Sequence, residues 1–503
     1  MMFKMRFLIL LFVLIFLSAL NLYSQEKKLT NADTIQAFIN KFSDEDPYVN
    51  GDAVNEISEY GDDAVDLLIE SLQNKNNNIK WCSAIALGKI APNGERVIPY
   101  LIQALSDSDS NVRWCSVVAL GNFGQSAEEA IPELLNLLND EDENVRWASY
   151  IAIIKISPEF YFQPPKISDV ISIIDNSIPS LMQEFNVPGV SIVLIKEREI
   201  AFNKDFGNKD ARTADPVNKN TMFEACSMTK PAFAFLVFQL VQQNKLNLDE
   251  PLCNYLDEKF YGEDSIYKKI TARMVLSHQS GLPNWRKGEE ERNGPLPIYF
   301  TPGERFSYSG EGYFYLQRVL EKITGKSLDE IAKIYLFTPA GMMNSSFVWT
   351  EEIDSLISSG HDTSGNFLAK SKYVHPNSAY TLYISAEDYA NFILEIMKAS
   401  KSDTSLLTKN YINEMLEPQV DVLVRDPIER QGRALGFFTY WSLGWAVDST
   451  AYGKIYYHSG ANRTGFRCYS QFNRDEGNGI VIMTNSLNGT ELWTELIKQI
   501  GDF

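Results

Sequence analysis

Ser227 and Lys230 stand three residues apart in the run Phe223-Glu224-Ala225-Cys226-Ser227-Met228-Thr229-Lys230-Pro231, and the stretch from Ala232 to Val241 is apolar and helical in character. At i and i+3 on a helix the two side chains share a face, so the amine reaches the hydroxyl. A serine hydroxyl is a weak nucleophile until a base takes its proton. A lysine serves as that base when burial and neighbouring charge lower its pKa. A helix N-terminus beside the serine helps hold a developing oxyanion. The same spacing also recurs by chance in long chains, with the serine as an N-cap on a surface helix.

Other chemistries have thin support. The four histidines, His278, His361, His375 and His458, form no HExxH arrangement and no zinc-spaced cluster with cysteine. No zinc site is therefore expected. Five cysteines in 503 residues do not make a disulfide scaffold. The formal net charge is −19, and such an acid excess argues against nucleic acid as the main partner. Hydrophobic residues at 45% describe a globular chain. At roughly 150 residues per domain, its length suggests about three units.

The elements around the pair read as mixed α and β. Residues 168–185 carry an amphipathic pattern (Ile171, Ile174, Ile178, Leu181, Phe185), with Pro179 as a potential kink. Residues 187–195 are strand-like, Glu197-Arg198-Glu199 is a turn, and Ile200-Ala201-Phe202 begins a return strand. Downstream lie Thr301-Pro302-Gly303-Glu304-Arg305-Phe306-Ser307-Tyr308-Ser309-Gly310 and the aromatic strand Tyr456-Tyr457-His458-Ser459-Gly460-Ala461.

With Ser227-Met228-Thr229-Lys230, these segments resemble the three motifs of the serine β-lactamase and penicillin-binding superfamily, Ser-x-x-Lys, Tyr-x-Asn and Lys-Thr-Gly. The branch resembled is class C β-lactamase-like, which also holds D-peptidases and carboxylesterases. Supporting landmarks are Leu246 to Pro251, Leu276 to Pro283, Ser385 to Asp388 and Leu443-Gly444-Trp445. The resemblance covers nearly all of residues 166–503. It implies that Ser227 is the acylated nucleophile, with Lys230 its general base or electrostatic partner, and that no metal and no organic cofactor is required. Tyr308 would shuttle a proton to the leaving group and activate the deacylating water. An ordinary tyrosine has a pKa of about 10, so that role needs Lys230 nearby. The backbone N–H groups of Ser227 and Ala461 match the oxyanion-hole positions. His278 sits at a position that is structural in this family. Cys226 reads as a packed thiol.

Two departures bear on substrate. The family's asparagine contacts the lysine and the amide of the acyl side chain; here the position is Gly310. The lysine that meets a substrate carboxylate is replaced by His458, followed by Ser459 and Gly460. An imidazole with a pKa of about 6.5 is only partly charged at neutral pH. Arg463 or Arg467 is then a candidate for the missing cation. Both changes point away from strong β-lactamase activity and toward the esterase and D-peptidase members.

The N-terminal third differs. Lys4 and Arg6 precede an apolar run from Phe7 to Leu17, and Ser24 offers a small residue at a cut before Gln25. Residues 1–24 read as a secretory signal peptide, with an uncleaved anchor as the alternative. No cysteine near the cut could accept a lipid, and no second stretch is long enough to span a bilayer. A periplasmic or secreted protein is expected, without a stable membrane span. Cleavage removes Lys4 and Arg6 and takes the charge from −19 to −21.

Then Ile79-Lys80-Trp81-Cys82 returns as Val112-Arg113-Trp114-Cys115 and as Val145-Arg146-Trp147-Ala148, each 33 residues after the last. Leu68, Leu101 and Leu134 keep the same step, and Tyr48 marks a worn earlier copy. Each unit reads as two helices around a polar turn. Residues 34–158 resemble HEAT repeats of the short bacterial type. That implies a scaffold for a protein partner. The tryptophans either pack between repeats or line a shared groove, and Cys82 and Cys115 read as buried thiols. Residues 159–165, with Pro164-Pro165, form a linker.

The expected fold is multidomain: an all-α HEAT-type solenoid, then an α+β β-lactamase/transpeptidase-like domain with an antiparallel sheet flanked by helices and a helical subdomain. The expected function is a serine hydrolase acting through a Ser227 acyl-enzyme on a small ester or a D-amino-acid peptide or amide. The alternatives are an inactive recognition protein of the same fold and a β-lactamase.

Overall fold

A computed structural model describes residues 31–44, 47–90, 94–138, 140–157, 166–256, 265–287, 296–398, 405–422, 440–450 and 453–500. The signal-peptide segment 1–24 and the linker 159–165 lie outside the described residues. The chain divides into two compact units, Met1–Ile156 and Ser157–Phe503.

The first unit is helical: α1 (Asn31–Lys41), α2 (Pro47–Ser58), α3 (Asp62–Ser71), α4 (Asn77–Ile90), α5 (Ile98–Ala104), α6 (Ser110–Asn122), α7 (Ile131–Leu137) and α8 (Glu143–Ile156). Its repeat is written in polar contacts as well as in apolar spacing. The side chains of Asn76, Asp109 and Asp142 each accept from the backbone N–H two residues on, at 2.8, 2.9 and 2.8 Å, starting α4, α6 and α8. The hydroxyls of Ser83, Ser116 and Ser149 donate to the carbonyls four residues back at 2.7, 2.8 and 2.8 Å, so these buried polar groups are satisfied within their own helices. Lys80 reaches Asp107 at 2.6 Å, and Arg113 grips Asp140 with two bonds of 2.8 and 2.7 Å. These pairs tie each second helix to the turn of the following repeat. Leu68, Leu101 and Leu134 are fully buried beneath them. Trp81 is buried and donates its Nε1–H to Asn78 at 3.1 Å, the packing role of the two weighed for it. Cys82 and Cys115 are buried free thiols.

The second unit is built on an eight-stranded sheet. Its strands are β1 (Gly189–Lys196), β2 (Glu199–Gly207), β3 (Phe223–Glu224), β4 (Ser345–Ser346), β5 (Tyr383–Ile384), β6 (Val420–Asp421), β7 (Tyr440–Trp441), β8 (Ala446–Thr450), β9 (Gly453–Asn462), β10 (Phe466–Asn473) and β11 (Asn478–Thr484). The large sheet runs β2-β1-β11-β10-β9-β8-β7-β6, and β3-β5-β4 form a small second sheet. Every pairing is antiparallel. The helices are α9 (Ile167–Glu184), α10 (Thr229–Gln242), α11 (Ala272–Leu276), α12 (Gly310–Thr324), α13 (Leu328–Ala332), α14 (Ala386–Lys398), α15 (Lys409–Leu416) and α16 (Gly489–Ile500).

Two rings on β10 show how both faces of the sheet are covered. Tyr469 and Phe472, three residues apart, point to opposite faces. Tyr469 stacks on Trp493 of α16 with centroids 4.6 Å apart, while Phe472 meets Trp445, which stacks on Phe392 of α14. Helix α10 is buried from Thr229 through Leu240. A helix apolar on every side belongs in a core, and its N-terminus carries the Ser-x-x-Lys pair. Among the described residues no helix is long and apolar enough to cross a membrane.

Candidate active site

Ser227 lies in a single 3₁₀ turn, Cys226–Met228, and Lys230 in the first turn of α10. The cap of α10 is Met228, without a side-chain cap bond, so Ser227 is not spent as an N-cap. The turn is held from two sides. On one, Ala225 N–H donates to Leu382 O at 2.8 Å and Phe223 and Glu224 pair with β5. On the other, β9 presses against it, since a Cβ added at Gly460 would stand 2.2 Å from Ala225 O. Only glycine lets the strand come so close, which is the physical content of the glycine in His458-Ser459-Gly460. Cys226 holds a left-handed φ of 53° immediately before the serine. Its buried thiol donates to Glu224 O at 3.2 Å, and burial pushes its pKa well up, so it is a packed group.

The lysine is fully buried. Its Nζ is 3.3 Å from Ser227 Oγ and donates to Ala379 O at 3.0 Å. It also lies over the ring of Tyr308, 4.5 Å from the centroid. The structure therefore brings Ser227 and Lys230 of one segment together with Tyr308 of another. Tyr308 is held by His278. The N–H groups on either side of it, of Ser307 and Ser309, donate to His278 O and Nδ1 at 2.7 and 3.0 Å. The two rings lie 4.1 Å apart. With Nδ1 accepting, the imidazole is neutral, and burial and the Lys230 charge hold its pKa well below the ordinary value. His278 is a clamp on Tyr308.

His458 departs from expectation. It is buried beside Trp441 and Tyr308, and desolvation together with the Lys230 cation pushes its pKa down to about 3. The expected partial charge at neutral pH is absent, so His458 supplies no cation for a substrate carboxylate. Arg467 is committed to its own hairpin, donating to Asn462 O and Phe466 O at 2.5 and 2.8 Å. Arg463 is exposed between β9 and β10.

Ala461 follows Gly460 on β9. Pairing of β8 with β9 stops at Tyr457, while β10 pairs on to Asn462. One edge of residues 458–462 thus has no strand beside it among the described residues. Ser459 is half-buried on that stretch.

Three contributors escaped the sequence reading. The carbonyl of Ala379 has no side-chain signature at all. Glu224, buried, accepts from Tyr373 OH, Asn462 Nδ2 and Thr464 Oγ1 at 3.1, 3.2 and 2.7 Å, stitching the hairpin to the loop across the nucleophile turn. Burial raises its pKa. Its place three residues before Ser227 was the only available hint. Trp441 packs on both imidazoles and on Tyr308.

The beta-lactamase family model matches residues 174–502, and the HEAT repeats model matches residues 35–113 and 98–164. Protein flp of Staphylococcus aureus (strain N315) is 23% identical over 329 residues, 62% of this chain and 62% of its own length. The chain thus spans less than two thirds of that relative. The octameric penicillin-binding protein homologue from Pyrococcus abyssi is 25% identical, with a TM-score of 0.52 over 63% of this chain and 74% of that one. A beta-lactamase/D-alanine carboxypeptidase from Pseudomonas syringae shares the fold, at 17% identity and a TM-score of 0.56 over 66% and 98%.

Proposed function

The chain belongs to the beta-lactamase family of serine hydrolases, and from that premise we propose that it cleaves small esters or D-amino-acid peptides and amides through an acyl-enzyme on Ser227. The observation that carries the reading is the buried Lys230 Nζ, 3.3 Å from Ser227 Oγ and over the ring of Tyr308. Oγ bonds to the substrate carbonyl carbon as its proton passes to the Lys230–Tyr308 pair, and the pair returns a proton to the departing alkoxide or amine. Water then attacks the acyl carbon and gives a proton to the same pair, which passes it to Ser227 Oγ as the Oγ–C bond breaks and the carboxylic acid leaves. The N–H groups of Ser227 and Ala461 hold the oxyanion in both steps.

Loss of the family's asparagine at Gly310 and of its cation at His458 favours esters over cephalosporins. Arg463 is the remaining candidate for a substrate carboxylate. The leader-like residues 1–24 favour work outside the cytoplasm, and the repeats favour a protein partner.

A fluorophosphonate probe should label the wild type and spare Ser227→Ala. Labelling no greater than the variant's would favour a binding protein that has kept the fold without turnover. In a panel of p-nitrophenyl butyrate, a chromogenic cephalosporin and D-Ala-D-Ala peptides, ester hydrolysis should stand well above cephalosporin hydrolysis. The reverse ranking would make the protein a β-lactamase. Arg463→Ala should raise KM for the carboxylate-bearing peptides and leave the ester unchanged.

A further inference from the structure

Gly310 is empty of a side chain for a reason visible in the structure. A Cβ built there would stand 2.7 Å from Cη2 and 2.8 Å from Cζ2 of Trp285, and 2.8 Å from the backbone oxygen of Asn284. The outer edge of an indole, with the carbonyl of the residue before it, therefore fills the space a side chain at 310 would take. Gly310 is two residues from Tyr308, so the indole stands beside the catalytic cluster. A second contact fixes its other side: Trp285 meets Tyr380 edge-on with centroids 5.4 Å apart. Tyr380 directly follows Ala379, whose carbonyl takes the Lys230 ammonium. Trp285 is thus placed between the segments that carry Tyr308 and Ala379.

Its backbone is latched to the start of α12. Gly310 N–H donates to Asn284 Oδ1 at 3.0 Å, Glu311 N–H donates to Asn284 O at 3.1 Å, and Arg286 pairs with Glu311 at 3.2 Å. The residue is nevertheless 41% exposed. A large aromatic surface on a latched backbone, left open beside a nucleophile, is a binding wall, because its desolvation by a ligand costs little conformational entropy.

We propose that Trp285 is a specificity-determining residue that selects substrates with a flat or apolar acyl group. This rests on the acyl-enzyme reading above, and on the resemblance that assigns position 310 to the acyl side. Where the family offers an amide to an acylamido side chain, this chain offers the edge and face of an indole, which has one N–H donor and no acceptor. An aryl or alkyl acyl group gains contact there. An acylamido group leaves its carbonyl and N–H short of partners.

The test compares kcat/KM for p-nitrophenyl phenylacetate and p-nitrophenyl acetate, with fluorophosphonate labelling of Ser227 measured alongside. Trp285→Ala should lower the phenylacetate-to-acetate ratio about tenfold, the scale on which a lost apolar contact acts in an enzyme pocket. Trp285→Phe should retain most of the ratio. Gly310→Ala, whose methyl group meets both the indole and the Asn284 carbonyl and so displaces the ring together with its latch, should lower the ratio in the same direction. An enzyme that is labelled and active but whose ratio stays unchanged in Trp285→Ala and Gly310→Ala overturns this assignment alone. A wild type that is not labelled above Ser227→Ala overturns the acyl-enzyme reading, and this assignment with it.

Discussion

An imidazole in water takes up a proton near pH 6.5, but His458 is buried against Trp441 and Tyr308 and faces the ammonium of Lys230. Both effects disfavour the cation and push the pKa down to about 3. Between the unfolded value of about 6.5 and the folded value, the unfolded chain binds a proton that the folded chain refuses, so stability falls as pH drops through that window. His458→Gln should remove this share of the acid sensitivity, leaving those of His278 and His361, whose pKa values are also lowered. Thermal unfolding at about pH 7.5 and about pH 5 reads it: the loss of Tm should be smaller in the variant than in the wild type. An equal loss would mean that His458 titrates as an exposed histidine.

At the scale of elements, the site depends on how closely β9 approaches the nucleophile turn. Gly460→Ala places a methyl group 2.2 Å from Ala225 O, a backbone atom that cannot step aside by rotating. The turn and Ser227 must shift, and a misplacement of about 1 Å costs on the order of 10²-fold in rate. The expected result is a loss of kcat of that order in ester hydrolysis with folding retained by circular dichroism. In the repeats, Arg113 and Asp140 are only 8% and 7% exposed at their side chains. Removing one partner of so buried a pair leaves an uncompensated charge, and Arg113→Ala should cost about 3–5 kcal/mol in the denaturant unfolding of the repeat unit. Replacing both residues by apolar ones should cost less. Arg113 announced itself only as part of a repeated Val-Arg-Trp element. Its partner in the next turn, 27 residues on, was not apparent until the helices were stacked.

For the whole molecule, a continuous hydrophobic cluster of the second unit runs from Val193 to Met483, further buried residues of that unit come from α9 and α16, and Ser227, Lys230, Tyr308, His458 and Ala461 all lie in the same unit. A chain beginning at Ser157 should therefore fold and retain ester hydrolysis, measured with the same p-nitrophenyl substrate. Loss of soluble folded protein on truncation would show that the catalytic unit needs the repeats. Length alone suggested about three units of roughly 150 residues. The structure has two, because the second packs helices against both faces of one large antiparallel sheet.

What the sequence determined by itself was periodic or local. The 33-residue step exposed the repeat architecture, since every copy must offer the same faces to its neighbours. Ser227 and Lys230 were legible as a pair because three residues of helix bring two side chains together. Tyr308 and His458 were legible as motif positions whose types carry chemistry. Tertiary structure decided everything that depends on what surrounds a group. The charge of His458 follows from burial and from a lysine 228 positions earlier in the chain, neither of which a residue type reveals. The carbonyl of Ala379, the three-way carboxylate of Glu224 and the indole filling the space at Gly310 all join segments distant in sequence. Local pattern fixes which elements form, whereas the environment of each functional group is a sum over contacts that exist only once those elements have packed.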